Sequence, residues 1–362
     1  MSSGKVHLHR AFAHPMAEEL VECVPNISEG RDLELVDRIV AAARGVDGSR
    51  VLSSEPDADY NRTVITIAGR PDAVSEAAFR LIRSASENID MRKHTGNHAR
   101  LGAVDVCPFV PLSGADMEDC ALLARELSRR VADELGLPSY LYGAAASSDT
   151  RRNHSLLRKG QYEGLEARMT PGEDTPHEDE TRLPDNGPSE WSDKVAAFGA
   201  TIIGARNILV AYNVNLEEQD AKVSGVIGRA VRQSGPVIKN VDGTKLPIPG
   251  MLPHVQGMGF PLEEHGISQV SMNLQDIENT PMHHAYETIK WLAESHGVKV
   301  TGSELVGLAP LTAFLEAGRW YSPDADGEDA LIEAAVDGMG LDDLGPFNPN
   351  ERIIERALEE SD

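Results

Sequence analysis

The feature that most constrains the fold is an order of strands and helices that occurs twice along the chain. In the first half, apolar spacings of period 2 and period 3.6 alternate as strand, helix, strand, strand, helix, strand. These predicted elements are strands at 20–26, 50–53, 63–68 and 103–109 and helices at 33–44 and 71–88, followed by a further helix at 116–135 and a strand at 139–142. The second half repeats the order with strands at 207–215, 254–260, 268–274 and 298–301 and helices at 217–233 and 282–296. Because the strand–strand step implies antiparallel neighbours, the repeat predicts an α+β fold of two ferredoxin-like (βαββαβ) lobes with a ligand cleft between them.

The same patterns divide the chain into four parts. Residues 1–17 are expected to be a flexible N-terminal extension, 18–206 a first subdomain and 207–322 a second subdomain. Residues 323–362 carry two weak helical patterns and are expected to form an acidic C-terminal helical extension. The segment 167–194 is rich in Pro, Gly and charge, which predicts a loop or linker between the lobes.

Charge is the strongest signal of the whole composition. The 362 residues include 58 acidic and 34 basic side chains, for a formal net charge of −24. Nucleic acid is not expected as a partner, because a polyanion needs clustered Lys and Arg and the sequence has no such stripe. Only nine of the basic residues are Lys, which favours adaptation to high salt, where screening is strong. An ordinary acidic cytosolic enzyme is the alternative.

The cellular compartment is predicted from the absence of several sequence signals. No apolar run approaches the 18 residues that a membrane helix needs. The first twenty residues lack the apolar core of a signal peptide. The three cysteines, Cys23, Cys107 and Cys120, are far apart and form no CxxC pair, so buried, reduced thiols are expected. These observations predict a cytoplasmic protein.

The most unusual segment for chemistry is DMRKHTGNHARLGAVDVCPF, residues 90–109. His94 and His98 are four residues apart, a spacing that binds zinc on a helix, but the Gly-Asn pair between them favours a loop and no third ligand pattern accompanies them. No metal site is therefore predicted. A histidine in a loop before a strand is suited to proton exchange near neutral pH. The alternative is a histidine that only caps a turn.

Other candidate residues have simpler structural interpretations. Arg62 enters a predicted strand after an Asx-rich turn, and its guanidinium is a candidate clamp for a carboxylate. Asn26 and Ser28 are candidate helix caps. His283 and His284 are adjacent on a helix, about 100° apart, which is poor geometry for one metal. The sequence contains no GxGxxG after a strand, no GxxxxGK[ST] and no GxSxG, so dinucleotide, P-loop and serine-hydrolase functions are not indicated.

Seven segments, taken in order, resemble the glutamate formiminotransferase family. They are VECVPNISEGRD (21–32), NRTVITIAG (61–69), IDMRKHTGNHARLGAVDVCPFVPL (89–112), YLYGAAA (140–146), PDNGPS (184–189), GATIIGARNILVAYNVNL (199–216) and GSELVGLAP (302–310). The resemblance implies two ferredoxin-like lobes, a homodimer, and transfer of a formimino group between N-formimino-L-glutamate and tetrahydrofolate as co-substrate. It also implies a formiminotransferase that stands alone, without the cyclodeaminase domain of some relatives.

The resemblance also implies roles for individual residues. His98 matches the catalytic histidine, a general acid and base, and His94 matches a second family position. The folate-binding stretch corresponds to residues from Asn186 to about Phe198 and includes Gly187, Pro188 and Ser189. Asn186 replaces the usual aromatic residue, and the interval to Gly199 is longer by a few residues. The orienting carboxylate is left open among Glu55, Asp57 and Asp59.

The substrates are anions, so the site needs basic groups in spite of the acidic average. Four such residues fall in the matching segments and are expected to bind substrate: Arg62, Lys93, Arg100 and Arg206. Two other functions are left open. One is transfer of a formyl group from N-formylglutamate, which differs only in the atom on the transferred carbon. The other is folate binding without turnover, for which a histidine at position 98 would have no use.

Overall fold

The structure is a computed structural model that describes residues 19–170 and 179–359. The expected flexible extension at 1–17 lies outside the described residues. Contacts divide the chain into two compact units, and the change from unit 1 to unit 2 falls between Ala205 and Arg206. Both units mix helices and strands, which confirms an α+β protein. None of the helices in the described ranges has the length and apolar character to cross a membrane.

Unit 1 is built on a mixed seven-stranded sheet. Its strands are β1 (Leu20–Cys23), β2 (Asn26–Ile27), β3 (Ser49–Asp57), β4 (Arg62–Gly69), β5 (Val104–Ser113), β6 (Ser139–Gly143) and β7 (Thr201–Ala205). The segments β1 and β2 both lie between β4 and β5, with antiparallel pairing on each side, and β3 pairs with β4. On the other side of β5, the strands β7 and β6 continue the sheet in parallel. The parallel strand β7 is the element of this sheet that the sequence analysis missed.

Three long helices cover unit 1. They are α1 (Leu33–Ala43), α2 (Pro71–Asn88) and α3 (Met117–Leu135), followed by the short α4 (His154–Leu157), α5 (Leu165–Met169) and α6 (Asp193–Phe198). The boundaries follow local chemistry, because Pro71 occupies the first turn of α2, while Asp116 and Asp119 form a capping box at the start of α3. Gly136 ends α3 in the left-handed conformation at φ 59°. The apolar faces of the long helices pack on the sheet in one core.

Unit 2 repeats the element order on a smaller antiparallel sheet. Its elements are β8 (Val210–Leu216), α7 (Lys222–Val231), β9 (Val237–Lys239), β10 (Lys245–Pro247), β11 (Val255–Leu262), β12 (Ile267–Leu274), α8 (Met282–Ser295), β13 (Val300–Val306), α9 (Leu311–Tyr321), α10 (Glu328–Met339), α11 (Pro349–Arg352) and α12 (Ile354–Glu359). The main sheet has the order β11-β12-β8-β13, and β9 and β10 form a separate hairpin. The hairpin and α9 were not predicted. Helix α7 is shorter than the predicted 217–233, because the Glu218 carboxylate accepts from the amides of Val223 and Ser224 and so caps its start.

The C-terminal segment, which the sequence suggests is an acidic extension, does form helices, and its apolar side chains belong to the core of unit 2. Ile332, Ala335 and Met339 of α10 are almost fully buried with residues of the sheet. Ile353 pairs with Ala309 in an isolated bridge and is also buried. The segment is therefore a packed part of unit 2 over its described residues.

The Pro- and Gly-rich segment expected between the lobes lies within unit 1, since β7 follows it in the same sheet. Its described part is held by Arg151, whose Nη2 lies 2.6 Å from the Asp185 carboxylate with both side chains about nine-tenths buried. Arg151 also donates to the carbonyls of Glu180 and Leu183. One buried guanidinium thus fixes residues 180–185, which form neither helix nor strand.

The buried Arg151 makes a testable contribution to stability. Arg151→Met should lower the free energy of unfolding by about 3–5 kcal/mol, because it leaves the Asp185 charge buried without its partner. Urea unfolding followed by far-UV circular dichroism measures this loss. Arg152→Met is the matched control, since Arg152 and its partner Asp149 are 65% and 96% exposed, and a change below about 0.5 kcal/mol is expected there. Equal losses in the two variants would contradict the assignment.

Candidate active site

The two histidines singled out from the sequence lie in the loop that joins a short 3-10 helix, Met91–Lys93, to β5. The loop is irregular, as the Gly-Asn pair predicts. A Cβ at Gly96 would lie 2.4 Å from the carbonyl oxygen of Tyr60, so the loop runs directly against the β3–β4 turn. This approach brings His94 and His98 to the residues at the start of β4.

Asn61 holds the surrounding loops together. It adopts φ 50°, a left-handed conformation that Asn tolerates better than most residues. Its side-chain oxygen accepts from the Gly30 amide at 3.0 Å, and its side-chain nitrogen donates to the Thr95 carbonyl at 2.9 Å. A largely buried amide therefore ties the turn before α1 to the histidine loop.

Eight residues from these segments form one compact group, which we call the His98 cluster. Its members are Ser28, Tyr60, Asn61, Arg62, His94, His98, Arg100 and Asp105. All eight belong to unit 1. The side chains are packed closely and leave almost no free volume among them. In this arrangement the space among these side chains is filled by the protein itself.

His98 is half-buried and accepts a hydrogen bond from arginine. Its Nε2 lies 2.9 Å from Arg62 Nη1, and because a guanidinium can only donate, Nε2 is the unprotonated nitrogen. The Tyr60 ring stands edge-on to the imidazole with centroids 6.0 Å apart. Burial and then the charges of Arg62 and Arg158 lower the pKa of His98 to about 4. The imidazole is therefore neutral at pH 7.

His94 has the opposite tautomer. Its Nδ1 accepts from Arg100 Nε at 3.2 Å, so its Nε2 carries the proton and donates to the Asn61 carbonyl at 3.0 Å. Burial, more than the nearby Arg100 charge, lowers the pKa of His94. Both ring nitrogens are in use, which suits a residue that fixes its neighbours.

Arg100 is neutralised within the cluster. Its guanidinium makes two hydrogen bonds to the Glu163 carboxylate, at 3.0 and 2.6 Å, and its side chain is 8% exposed. A bidentate pair of this kind leaves few donors for a ligand. Of the sequence-predicted substrate contacts, Arg100 is thus placed in the cluster but is occupied by a carboxylate of the protein itself.

Arg62 differs from Arg100 in having no carboxylate partner. Among the described residues, no Asp or Glu oxygen lies within 4.0 Å of its guanidinium. Its Nε is buried and has no hydrogen-bond partner. Burial lowers the pKa of Arg62, although the guanidinium stays charged. A buried cation with an unused donor is a suitable binding group for an anion.

Asp105 and Arg158 complete the set of charged groups at the site, and neither was predicted from the sequence. Asp105 is 1% exposed on β5, and its Oδ1 accepts from the Leu101 amide at 2.9 Å. Its Oδ2 lies 2.9 Å from Arg158 Nη2 in an ion pair, without a hydrogen bond of good geometry. Burial raises the pKa of Asp105 to about 6. The available signal was a lone carboxylate within an otherwise apolar strand, residues 103–110.

The acidic residues proposed from the resemblance are placed less centrally. The Asp57 carboxylate accepts from the Tyr60 amide at 2.8 Å, and its charge acts weakly to raise the pKa of His98. Glu55 and Asp59 are exposed. Asp105 is therefore the carboxylate that the cluster itself contains.

The cluster and its partners carry a surplus of positive charge. Of these groups, Arg100 and Arg158 form ion pairs with Glu163 and Asp105, while Arg62 forms none and is affected by Asp57 only from beyond ion-pair distance, so at short range three cations face two carboxylates. The chain as a whole has a formal charge of −24. A local surplus of this sign in so acidic a protein indicates a site for an anion.

Two other predicted substrate contacts have partners elsewhere. Lys93 is 83% exposed, and its ammonium lies 3.5 Å from the Asp90 carboxylate. Arg206 belongs to unit 2, and its Nη1 donates to the Asn207 carbonyl at 2.8 Å. Neither residue lines the His98 cluster.

The stretch expected to bind folate is described in unit 1. The Asn186 side chain donates to Ser128 Oγ at 2.8 Å, and the Asn186 carbonyl accepts from the Ser139 amide. Gly187 has φ 87°, and a Cβ there would lie 2.2 Å from the Leu137 carbonyl. Pro188 is half-buried and Ser189 exposed. Phe198 is 1% exposed in the core of unit 1, so its ring is not presented to a ligand.

The chain matches two descriptions of protein families in sequence order. One is the "Formiminotransferase domain, N-terminal subdomain", over residues 20–206, and the other the "Formiminotransferase domain", over residues 211–359. A glutamate formimidoyltransferase of Thermoplasma acidophilum is 40% identical over 83% of this chain and 92% of its own length. A protein of the same name from Streptococcus pyogenes serotype M1 is 37% identical over 84% of this chain and 93% of its own length.

Longer relatives match as well. The formimidoyltransferase-cyclodeaminase of Rattus norvegicus is 41% identical over 95% of this chain. The match covers 60% of that relative, so the chain spans about three-fifths of its length.

Burial of Asp105 predicts a dependence of stability on pH. The pKa of this carboxyl is about 6 in the folded protein against 3.8 ordinarily, so folding favours its protonated form. Its stabilising contribution is complete below pH 3.8 and is lost as the pH rises through 6. The free energy of unfolding of the wild type, relative to that of Asp105→Asn, should fall by on the order of 1 kcal/mol per pH unit across this window. Urea unfolding of both proteins between pH 4 and 8 measures this change. A difference between their unfolding free energies that does not vary with pH would contradict the prediction. Asp47→Asn, at a fully exposed carboxylate, should give such a flat difference.

Proposed function

The chain belongs to the formiminotransferase family, and from that premise we propose that it is a glutamate formimidoyltransferase that moves the formimino group between N-formimino-L-glutamate and tetrahydrofolate. The observation that carries the proposal is the His98 cluster, a neutral buried histidine beside an arginine with no carboxylate partner. The first group suits proton transfer and the second suits an anionic substrate. These are the two requirements of this reaction.

His98 is proposed as the general acid and base. N5 of tetrahydrofolate attacks the formimino carbon and must lose a proton, while the glutamate nitrogen must gain one before its bond to that carbon breaks. A neutral imidazole can accept the first proton and deliver the second, so it is unchanged at the end of the transfer. Its neutral state at pH 7 supports the base role in this direction.

Arg62 is proposed as the contact for a carboxylate of the glutamate substrate. Its buried, unused Nε and its lack of a carboxylate partner among the described residues support this role. Arg158 also has a buried Nε without a partner, so it is a second candidate donor. Arg100 and His94 are proposed as positioning residues, since Arg100 is hydrogen-bonded to Glu163 and Nε2 of His94 to the Asn61 carbonyl.

Tetrahydrofolate is proposed as the co-substrate of this chain, as the family membership suggests. Within the stretch from Asn186 to Phe198, the exposed backbone and side chains near Pro188 and Ser189 are the proposed contacts. The side chains of Asn186 and Phe198 have structural partners instead. We propose further that the protein acts as a cytoplasmic homodimer.

Both units are proposed to be ferredoxin-like. In unit 1 the order β3-β4-β1/β2-β5, and in unit 2 the order β11-β12-β8-β13, supports this assignment. In each unit the first strand of the repeat lies between the third and the fourth. In unit 1 the parallel strands β7 and β6 extend the pattern beyond β5.

Removal of the imidazole tests the catalytic proposal. His98→Ala should lower kcat for formation of 5-formiminotetrahydrofolate roughly 10²- to 10⁴-fold, the usual contribution of a general acid–base group. Product analysis with N-formimino-L-glutamate and N-formyl-L-glutamate offered separately measures the rate and also identifies the donor. His284→Ala, at an exposed histidine on α8, should retain full activity. A His98→Ala protein with wild-type turnover would refute the assignment.

Replacement of Arg62 tests substrate recognition. Arg62→Met should raise KM for the glutamate donor about 10- to 100-fold, the value of one or two hydrogen bonds to a charged group. KM for tetrahydrofolate should change much less, because its carboxylates are on the glutamate tail, far from the N5 that reacts beside His98. Steady-state kinetics with each substrate varied in turn separate the two effects. Equal increases in both constants would argue against a specific contact with the donor.

A further inference from the structure

Arg62 and His98 hold each other in a state that is poor for catalysis. The Nε2 lone pair of His98 is the one that a general base would use, and Arg62 Nη1 donates to it at 2.9 Å. A nitrogen that already accepts a hydrogen bond from a cation cannot take a proton until the cation moves. Burial lowers the pKa of the ring most, and the charge of Arg62 lowers it further. A base with so low a pKa is weaker than the near-neutral value that favours proton transfer at pH 7.

A bound anion is expected to attract the Arg62 guanidinium away from this contact. A hydrogen bond from a guanidinium to a neutral imidazole is weaker than one to a carboxylate, in which both groups are charged. The guanidinium has no carboxylate partner among the described residues, and its buried Nε has no partner at all. A ligand carboxylate would therefore satisfy an atom that the present arrangement leaves unsatisfied.

We propose that a carboxylate of the bound glutamate donor draws Arg62 away from His98 and thereby frees Nε2 to act as the base. The inference rests on the proposed function, because it needs an anionic donor at this site. Arg62 is then both a substrate contact and a mask, which here means a group that occupies Nε2 of His98 until the donor binds. His98 can therefore act as a base only when the donor is present.

The charges around His98 determine the sign of the expected change. Tyr60 and Arg62 face the ring from the β3–β4 turn and β4, and Asp57 acts on it from β3. Arg158 acts from the end of α4, and Asp105 lines the same cluster from β5. Departure of Arg62 removes a cation and the ligand adds an anion. Both changes favour the protonated imidazole and oppose burial, the largest cause of its low pKa, so the pKa of His98 should rise on binding.

Nuclear magnetic resonance of histidine-labelled protein tests the proposal. Long-range ¹H–¹⁵N spectra report which ring nitrogen is protonated and at what pH each ring titrates. In the free protein, His98 should carry its proton on Nδ1. With saturating N-formimino-L-glutamate and no folate, no transfer occurs, and the His98 titration midpoint should rise by about one pH unit or more. His94 serves as the internal reference, since its contacts to Arg100 and Asn61 are not part of the exchange.

Two variants separate this mechanism from a general electrostatic effect. Arg62→Met should raise the His98 midpoint in the free protein, and the further rise with donor should be smaller than in the wild type, because only the charge of the anion is then added. Arg92→Met removes an equal charge from an exposed arginine paired with Asp90, and it should behave as the wild type does. A rise of equal size in both free variants would show that net charge alone acts on the ring, which would overturn the proposal.

Failure of this proposal about Arg62 can be distinguished from failure of the proposed function. If the wild type transfers no formimino group to tetrahydrofolate, the proposed function itself fails. If transfer occurs but saturating donor leaves the His98 midpoint unchanged, the unmasking is refuted. The measurement is repeated with 5-methyltetrahydrofolate, whose N5 cannot accept the group, so that an obligatory order of binding does not hide the effect. An unchanged midpoint in both samples overturns the inference.

Discussion

Burial of the Asp105 carboxylate is the constraint on which the rest of the site depends. A charged group in the middle of an apolar strand must be neutralised or paired, and Asp105 uses the Leu101 amide and the Arg158 guanidinium. The first contact fixes the end of the histidine loop against β5. The second brings to the cluster an arginine from the end of α4, far away in the sequence. One unfavourable burial thus positions both the histidine loop and the end of this short helix.

The two histidines show how partners, rather than burial, determine what a side chain can do. Both rings are about half-buried and desolvation lowers the pKa of both. His94 accepts from Arg100 and donates to Asn61, so each nitrogen has a permanent partner. His98 accepts from Arg62, which has no carboxylate to hold it in place among the described residues. Only the second arrangement can change when a ligand arrives.

Local sequence predicted the parts of the fold that local forces determine. The helix α2 was predicted at its observed bounds because a Pro in the first turn and a regular apolar spacing specify it without help from other segments. The strand β7 was missed, because its pairing with β5 and β6 involves residues far away in the chain. In the site, His98 and Arg62 were identified from their segments. Arg158 could not be, since its role arises only where Asp105 needs a partner.

Acidic composition and an anionic substrate are reconciled by short-range geometry. The average charge of the chain repels anions at long range, and added salt screens that repulsion within a few ångströms. Inside the cluster the distances are those of hydrogen bonds, over which such screening is weak. Three arginines against two carboxylates leave one positive charge, and it belongs to Arg62, because Glu163 and Asp105 neutralise the other two. Among the described arginines at this site, the one that masks the base is therefore the one without a carboxylate partner.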